Sequence, residues 1–183
     1  NITSLRFSTA CGYSPNLRLD LVLNDFVVTA LSKGSIDILS DGSPWRPLID
    51  VEDMARAIFW ACNRDTGKSF EILNIGSPEW NYQIKDLANS VRNILGQDIK
   101  INLNSKATPD KRSYRVCFDK FYSLAPKSMT PQLNLEESIS RIVNVVKPYA
   151  NRLSSNNRTH LIRLKVLKML IEKKLVDKDL RWN

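Results

Sequence analysis

The sequence predicts an α/β fold with parallel strand pairing. Three observations lead there. Short apolar runs and helix-period segments alternate from residue 5 to residue 103. Glycines close several of them, at Gly12, Gly34, Gly76 and Gly96. The composition, 43% hydrophobic and 25% charged over 183 residues, is that of an ordinary globular protein of one domain or two small lobes.

The run Leu5–Ala10 reads as one buried strand, closed by Gly12 and the Ser14-Pro15 turn. Residues Asp20 to Lys33 carry Leu21, Leu23, Phe26, Val27, Ala30 and Leu31 at helical spacing, and Gly34 stops that helix. Ile36–Leu39 is a short strand and Asp41-Gly42 a turn. Leu48–Val51 leads into a helix with Asp50 as N-cap, where Glu52 and Asp53 suit the positive end of the dipole. Phe70–Ile75 is a strand, Ile84–Leu95 a helix, Ile99–Leu103 a strand and Leu135–Tyr149 a helix. The chain divides near residue 150. Beyond it come a polar linker and a basic amphipathic helix over 160–175, which reads as a packed helix with a solvated basic side rather than a membrane-surface helix.

The formal charge is +8, concentrated in residues 106–128 and 151–183. Basic charge suits nucleic acid, an acidic surface or a phosphorylated small molecule. No zinc finger, RNA-binding aromatic signature or helix-turn-helix accompanies it, so nucleic acid is set aside. Cys11, Cys62 and Cys117 have no metal-ligand spacing and His160 is the only histidine, which disfavours a metal site. Free thiols fit a cytoplasmic protein. No apolar run is long enough to span a membrane, and residues 1–7 do not read as a signal peptide.

Four segments, in order, resemble the NAD-dependent epimerase/dehydratase family of extended short-chain dehydrogenases/reductases. Leu5–Gly12 is similar to the strand and loop after the family's catalytic Tyr-x-x-x-Lys helix. Asp41–Ala55, with Arg46, Val51 and Asp53, resembles its G-x-x-x-R-x-x-[IV]-x-V-x-D-x-A segment. Phe70–Gly76 is similar to its F-N-[IV]-G strand, and Pro109–Arg115 followed by Phe118-Asp119-Lys120 to the segment closing over the nucleotide-sugar. The resemblance implies the C-terminal portion of a Rossmann-type fold over residues 1–150, with an incomplete parallel sheet and a small mixed α/β substrate-binding lobe. It implies a nucleotide diphosphate sugar as ligand, and an activity like that of UDP-glucose 4-epimerase: hydride transfer to NAD, epimerisation or elimination, and hydride return.

The residues 1–183 contain neither the family's glycine-rich phosphate loop nor its Tyr-x-x-x-Lys pair. The expectation is therefore a truncated member, inactive alone and binding no NAD by itself. It would hold nucleotide-sugar at most, or serve as a remnant that complements a separate N-terminal half or self-associates through open sheet edges.

By the resemblance, Arg46 falls in the diphosphate-binding slot, where a planar bidentate donor is needed. Arg112, with Arg115 as rival, serves the phosphate, and Asp110 and Tyr114 lie near the ribose or hexose. Thr9 and Asn24 are substrate-side candidates, and Ser8 faces the cofactor side. Residues Asp50 and Asp53 fit capping and first-turn electrostatics better than a paired-carboxylate site. Trp45 either stacks on a base or packs.

Overall fold

Parallel pairings organise the chain, and the computed structural model describes residues 1–65, 67, 70–104, 112–153 and 158–183. β1 (Ile2–Phe7) runs parallel to β5 (Phe70–Ile75), from Ile2 opposite Phe70 to Phe7 opposite Ile75. β2 (Thr9–Cys11) runs parallel to β4 (Trp45–Asp50), and β6 (Asn81–Gln83) lies antiparallel to the start of β4. β3 (Ser35–Ile38) is parallel to β7 (Lys100–Leu103).

The single strand expected over Leu5–Ala10 is two strands. Ser8 N–H still donates to Ile75 O at 2.9 Å, the last link to β5, and from Thr9 the chain follows β4 instead. A continuous apolar run cannot show that its partner changes midway. In place of one parallel sheet there are three small ones, β1–β5, β2–β4–β6 and β3–β7, and the second is mixed because β6 runs antiparallel to β4.

The helices follow their apolar period. α1 (Val22–Lys33) buries Leu23, Phe26, Val27 and Ala30, and ends at Gly34 in the left-handed conformation. α2 (Val51–Asn63) is capped by Asp50, whose carboxylate accepts from Glu52 N–H at 2.9 Å. α3 (Ile84–Leu95) buries Leu87, Ala88 and Val91. A short α4 (Asp119–Leu124), unmarked in the sequence, buries Phe121. α5 (Leu135–Val146) opens with a capping box between Asn134 and Glu137, then gives way to a 3-10 turn over Lys147–Arg152.

Two cores result. The larger joins α1, α3 and α5 to β3 through residues such as Leu23, Val27, Ile36, Leu87 and Ile139. The smaller lies between the β1–β5 pair and helices α2 and α4, where Trp60 meets Phe121 edge-on at 5.4 Å. The two sides of this second layer differ. Leu73 and Ile75 point inward, but Ile2, Phe70 and Ile72 of the strands and Ile58 and Phe59 of α2 are exposed.

The C-terminal segment returns to the larger core before leaving it. Arg158 is buried, ion-paired with Asp25 and 3.2 Å from the Thr29 hydroxyl, and Leu19 N–H donates to Leu161 O at 3.0 Å. The last helix, α6 (Arg163–Glu172), has no fully buried residue: Val166, Leu167, Met169 and Leu170 are half-buried, and the opposite side is exposed.

Candidate functional site

The β2–α1 loop and the start of β4 are locked together first. Gly12 (φ 97°) sits where any Cβ would collide with the Asp50 carboxylate, and its N–H donates to Asn24 Oδ1 at 2.9 Å. The Asn24 amide also donates to Arg18 O at 3.1 Å. Asp50 accepts from the Ser138 hydroxyl at 2.6 Å, tying β4 to α5. Asp53 is buried and accepts from Gln132 N–H at 3.0 Å and Leu133 N–H at 3.2 Å. Desolvation holds its pKa above the ordinary carboxylate value, opposed by those two amides and Arg56. Asp50 thus caps α2 as expected, whereas Asp53 is engaged by Arg56 and by two amides remote in sequence.

Beside this frame lies an open cavity of about 640 Å³. It is walled by the start of β2, the loop into α1 and its first turn, the end of β3, the start of β4 and the segment after residue 111. Thr9, Arg46, Arg112 and Tyr114 all line it, so four of the seven residues singled out from the sequence converge. Asn24 does not line it: it is buried, with both amide atoms on the backbone of the loop. Ser8 also lies away from it. Its buried hydroxyl faces Gly76 and Phe118, with no hydrogen-bond partner among the described residues. Asp110 lies outside the described residues.

The 112–116 segment is strapped along β4. Trp45 N–H donates to the Ser113 hydroxyl at 3.0 Å, and Tyr114 N–H to Trp45 O at 3.3 Å. Val116 N–H donates to Asn81 Oδ1 at 2.9 Å. This strap brings Tyr114 to the cavity, with the Arg46 guanidinium 5.9 Å from its ring centroid. Arg46 is further held by its own bond to Trp45 O at 2.8 Å. The Arg115 guanidinium lies 4.7 Å over the Trp45 ring. That contact favours the packing role for Trp45, and it separates the two arginines: Arg112 lines the cavity and Arg115 does not.

Sequence reasoning missed the acids in the wall. Asp20, Asp25 and Asp37 line the cavity, yet each is engaged: by Arg18, by Arg158, and by the Asn102 amide at 2.8 Å. Arg18 holds the Asp20 carboxyl below its ordinary pKa. Asp20 and Asp25 are thus ion-paired, while Asp37 keeps its charge beside a neutral amide. Ile38, Leu39 and Ser40 were also overlooked. Their signal was position, since they end a parallel strand, where α/β folds place ligands.

The fold and this site define part of a Rossmann-type α/β protein with its cavity beside the strand ends. Residues 1–76 match the family model described as NAD dependent epimerase/dehydratase family. Solved structures agree on the fold. MoeE5 in complex with UDP-glucuronic acid and NAD is 19% identical, with a TM-score of 0.65 over 81% of this chain and 48% of that one. UDP-glucose 4-epimerase from Thermotoga maritima, with UDP-glucose, is 22% identical, with a TM-score of 0.63 over 80% and 46%. UDP-glucuronic acid 4-epimerase from Bacillus cereus, with UDP-glucuronic acid and NAD, is 21% identical, with a TM-score of 0.65 over 79% and 44%. The chain spans about half the length of the solved structures it matches.

Proposed function

We propose that this chain is the nucleotide-sugar-binding part of an NAD-dependent epimerase/dehydratase. The observation that carries this is the convergence of Arg46, Arg112, Tyr114 and Thr9 on one cavity. Arg46 and Arg112 supply the charge-assisted donors a diphosphate requires. Leu21, Phe26, Leu39 and Ile84 give the apolar wall against which a base or a hexose face packs. Thr9 and Tyr114 offer hydroxyls to the sugar, and Asp110 is a further sugar-hydroxyl acceptor. Asn24 supports the wall by fixing the loop before it.

These residues do not fit a dinucleotide by themselves. No glycine lies between Gly12 and Gly34, and α1 starts at Leu21-Val22 without a side-chain cap, so the β2–α1 turn is no phosphate cradle. The part of this chain in the reaction is to hold and orient the sugar nucleotide, and of the candidates only Ser8 belongs to the cofactor side. We expect no NAD binding by residues 1–183 alone.

Calorimetric titration with UDP-glucose and related sugar nucleotides tests this. The expected result is stoichiometric binding that weakens about 10–100-fold in Arg46→Ala, the loss of one charge-assisted contact. Binding unaffected by Arg46→Ala, or stoichiometric NAD binding, overturns it.

A second role is favoured by a separate observation. Ile2, Phe70, Ile72, Ile58 and Phe59 form exposed apolar surface on the β1–β5 and α2 layer. Such a surface suits an interaction module that pairs with a dinucleotide-binding half or with a second copy of the chain. Light scattering against concentration, with and without a co-expressed N-terminal half from a family member, tests it. A chain monomeric at all concentrations and indifferent to that half would rule it out.

A further inference from the structure

The C-terminal helix and the hairpin behind it are built to keep apolar side chains in water. Leu164 and Ile171 share one face of α6 at i and i+7, Leu175 follows just beyond the helix, and all three are exposed. α6 ends in a two-bond C-terminal cap. Leu175 N–H donates to Leu170 O at 3.0 Å and Lys174 N–H to Ile171 O at 2.9 Å, with Lys174 in the left-handed region (φ 56°). The chain then turns back. Asp177 N–H donates to Arg181 O at 2.9 Å, Val176 bridges Trp182 antiparallel, and Asn183 N–H donates to Leu175 O at 3.1 Å. The Asp177 carboxylate binds two further amides of the turn, those of Asp179 and Arg181. This ordered hairpin holds Trp182 73% exposed and Leu180 56% exposed. Around these apolar groups stand Arg163, Lys165, Lys168, Lys173, Lys174, Lys178 and Arg181, against Glu172, Asp177 and Asp179.

We propose that α6 and its hairpin form a peripheral docking surface for an anionic lipid bilayer. Aliphatic side chains and a tryptophan interleaved with lysines match the interface between headgroups and acyl chains. A duplex nucleic acid would use the cations but leave Leu164, Ile171, Leu175 and Trp182 in water. A second copy packed face to face would bring the same excess of cations against itself. Arg158 and the Leu19–Leu161 bond fix the preceding residues to α1, so the surface is tethered to the cavity-bearing core. No described helix is long and apolar enough to cross a membrane, so attachment would be at the surface.

The test is flotation of the whole chain with vesicles of phosphatidylcholine, alone or mixed with phosphatidylglycerol. The chain should float with the anionic vesicles only, and salt should weaken this. Each of Lys165→Gln and Lys168→Gln should lower partitioning about fivefold, the equivalent of about 1 kcal/mol per cation near the surface. Leu164→Ser with Ile171→Ser should lower it further while the melting temperature stays unchanged, since neither residue is buried. A blue shift of emission on anionic vesicles should be lost in Trp182→Phe. Absence of flotation with either vesicle overturns the proposal, as does flotation that none of these variants weakens. Tighter binding to duplex DNA than to vesicles also overturns it, and so does lipid-free dimerisation abolished by Leu164→Ser.

Discussion

The two cores of this molecule differ in how they are closed. Around α1, α3 and α5, apolar side chains from three helices and β3 cover one another, and residues such as Leu23, Val27, Leu87 and Ile139 have no exposed surface. The β1–β5 layer is covered on one side by α2 and α4. Its other side shows Phe70 and Ile72, and α2 carries Ile58 and Phe59 outward beside its buried Ala57 and Trp60. A helix with apolar residues on two faces belongs between two layers. The cavity sits against the closed core, so its shape should not depend on what covers the open layer. This separates a binding role, which one lobe can carry, from chemistry that needs more of the fold.

The largest effect should come from breaking the closed core. Leu23→Ala should cost about 2–5 kcal/mol by urea unfolding, from lost burial and the cavity left behind. Asp50→Ala follows at about 2–3 kcal/mol: it removes the α2 cap and orphans the fully buried Ser138 hydroxyl. An effect below the cap alone, about 1 kcal/mol, would mean that the β4–α5 tie adds nothing.

Cysteines mark both regions. Cys11 is buried in the closed core, donating to Ile49 O at 3.3 Å, whereas Cys62 and Cys117 are exposed. Burial, and next the Asp50 charge, raise the Cys11 thiol well above its ordinary pKa. With the folded-state pKa above the unfolded one, the folded chain keeps the proton longer. This contribution to stability is present below the unfolded thiol value and is lost as pH rises through the folded value. Maleimide at neutral pH should therefore label Cys62 and Cys117 promptly and Cys11 only on unfolding, with stability falling above about pH 9. Equal labelling of all three would erase the contrast between the regions. The smallest stability effect is expected at the open face. Phe59→Ser should change stability by no more than about 0.5 kcal/mol while reducing self-association in light scattering.

Much of this contrast was legible in the sequence, and its limits were physical. The apolar period placed α1, α3 and α5, and Asp50 announced α2. Arg46, Thr9, Arg112 and Tyr114 were identified by the motifs around them. β4 was hidden because Trp45-Arg46-Pro47 has no alternation and carries a proline. The six-residue α4 is too short for a helical period to declare itself. Asn24 drew attention as a polar residue on a ligand-side helix, but hydrogen bonding to Gly12 and Arg18 is a tertiary matter that no local pattern encodes. The engagement of Asp25 by Arg158 joins residues 133 positions apart and was equally invisible.

Amide hydrogen exchange with and without a UDP-sugar tests the central claim most directly, because it reports where the ligand sits. The account predicts new protection at residues 19–26, 37–46 and 112–114, little change in β1, β5 and α2, and none on adding NAD. Protection centred on β1, β5 or α2, or a folded chain unchanged by any sugar nucleotide, would contradict it.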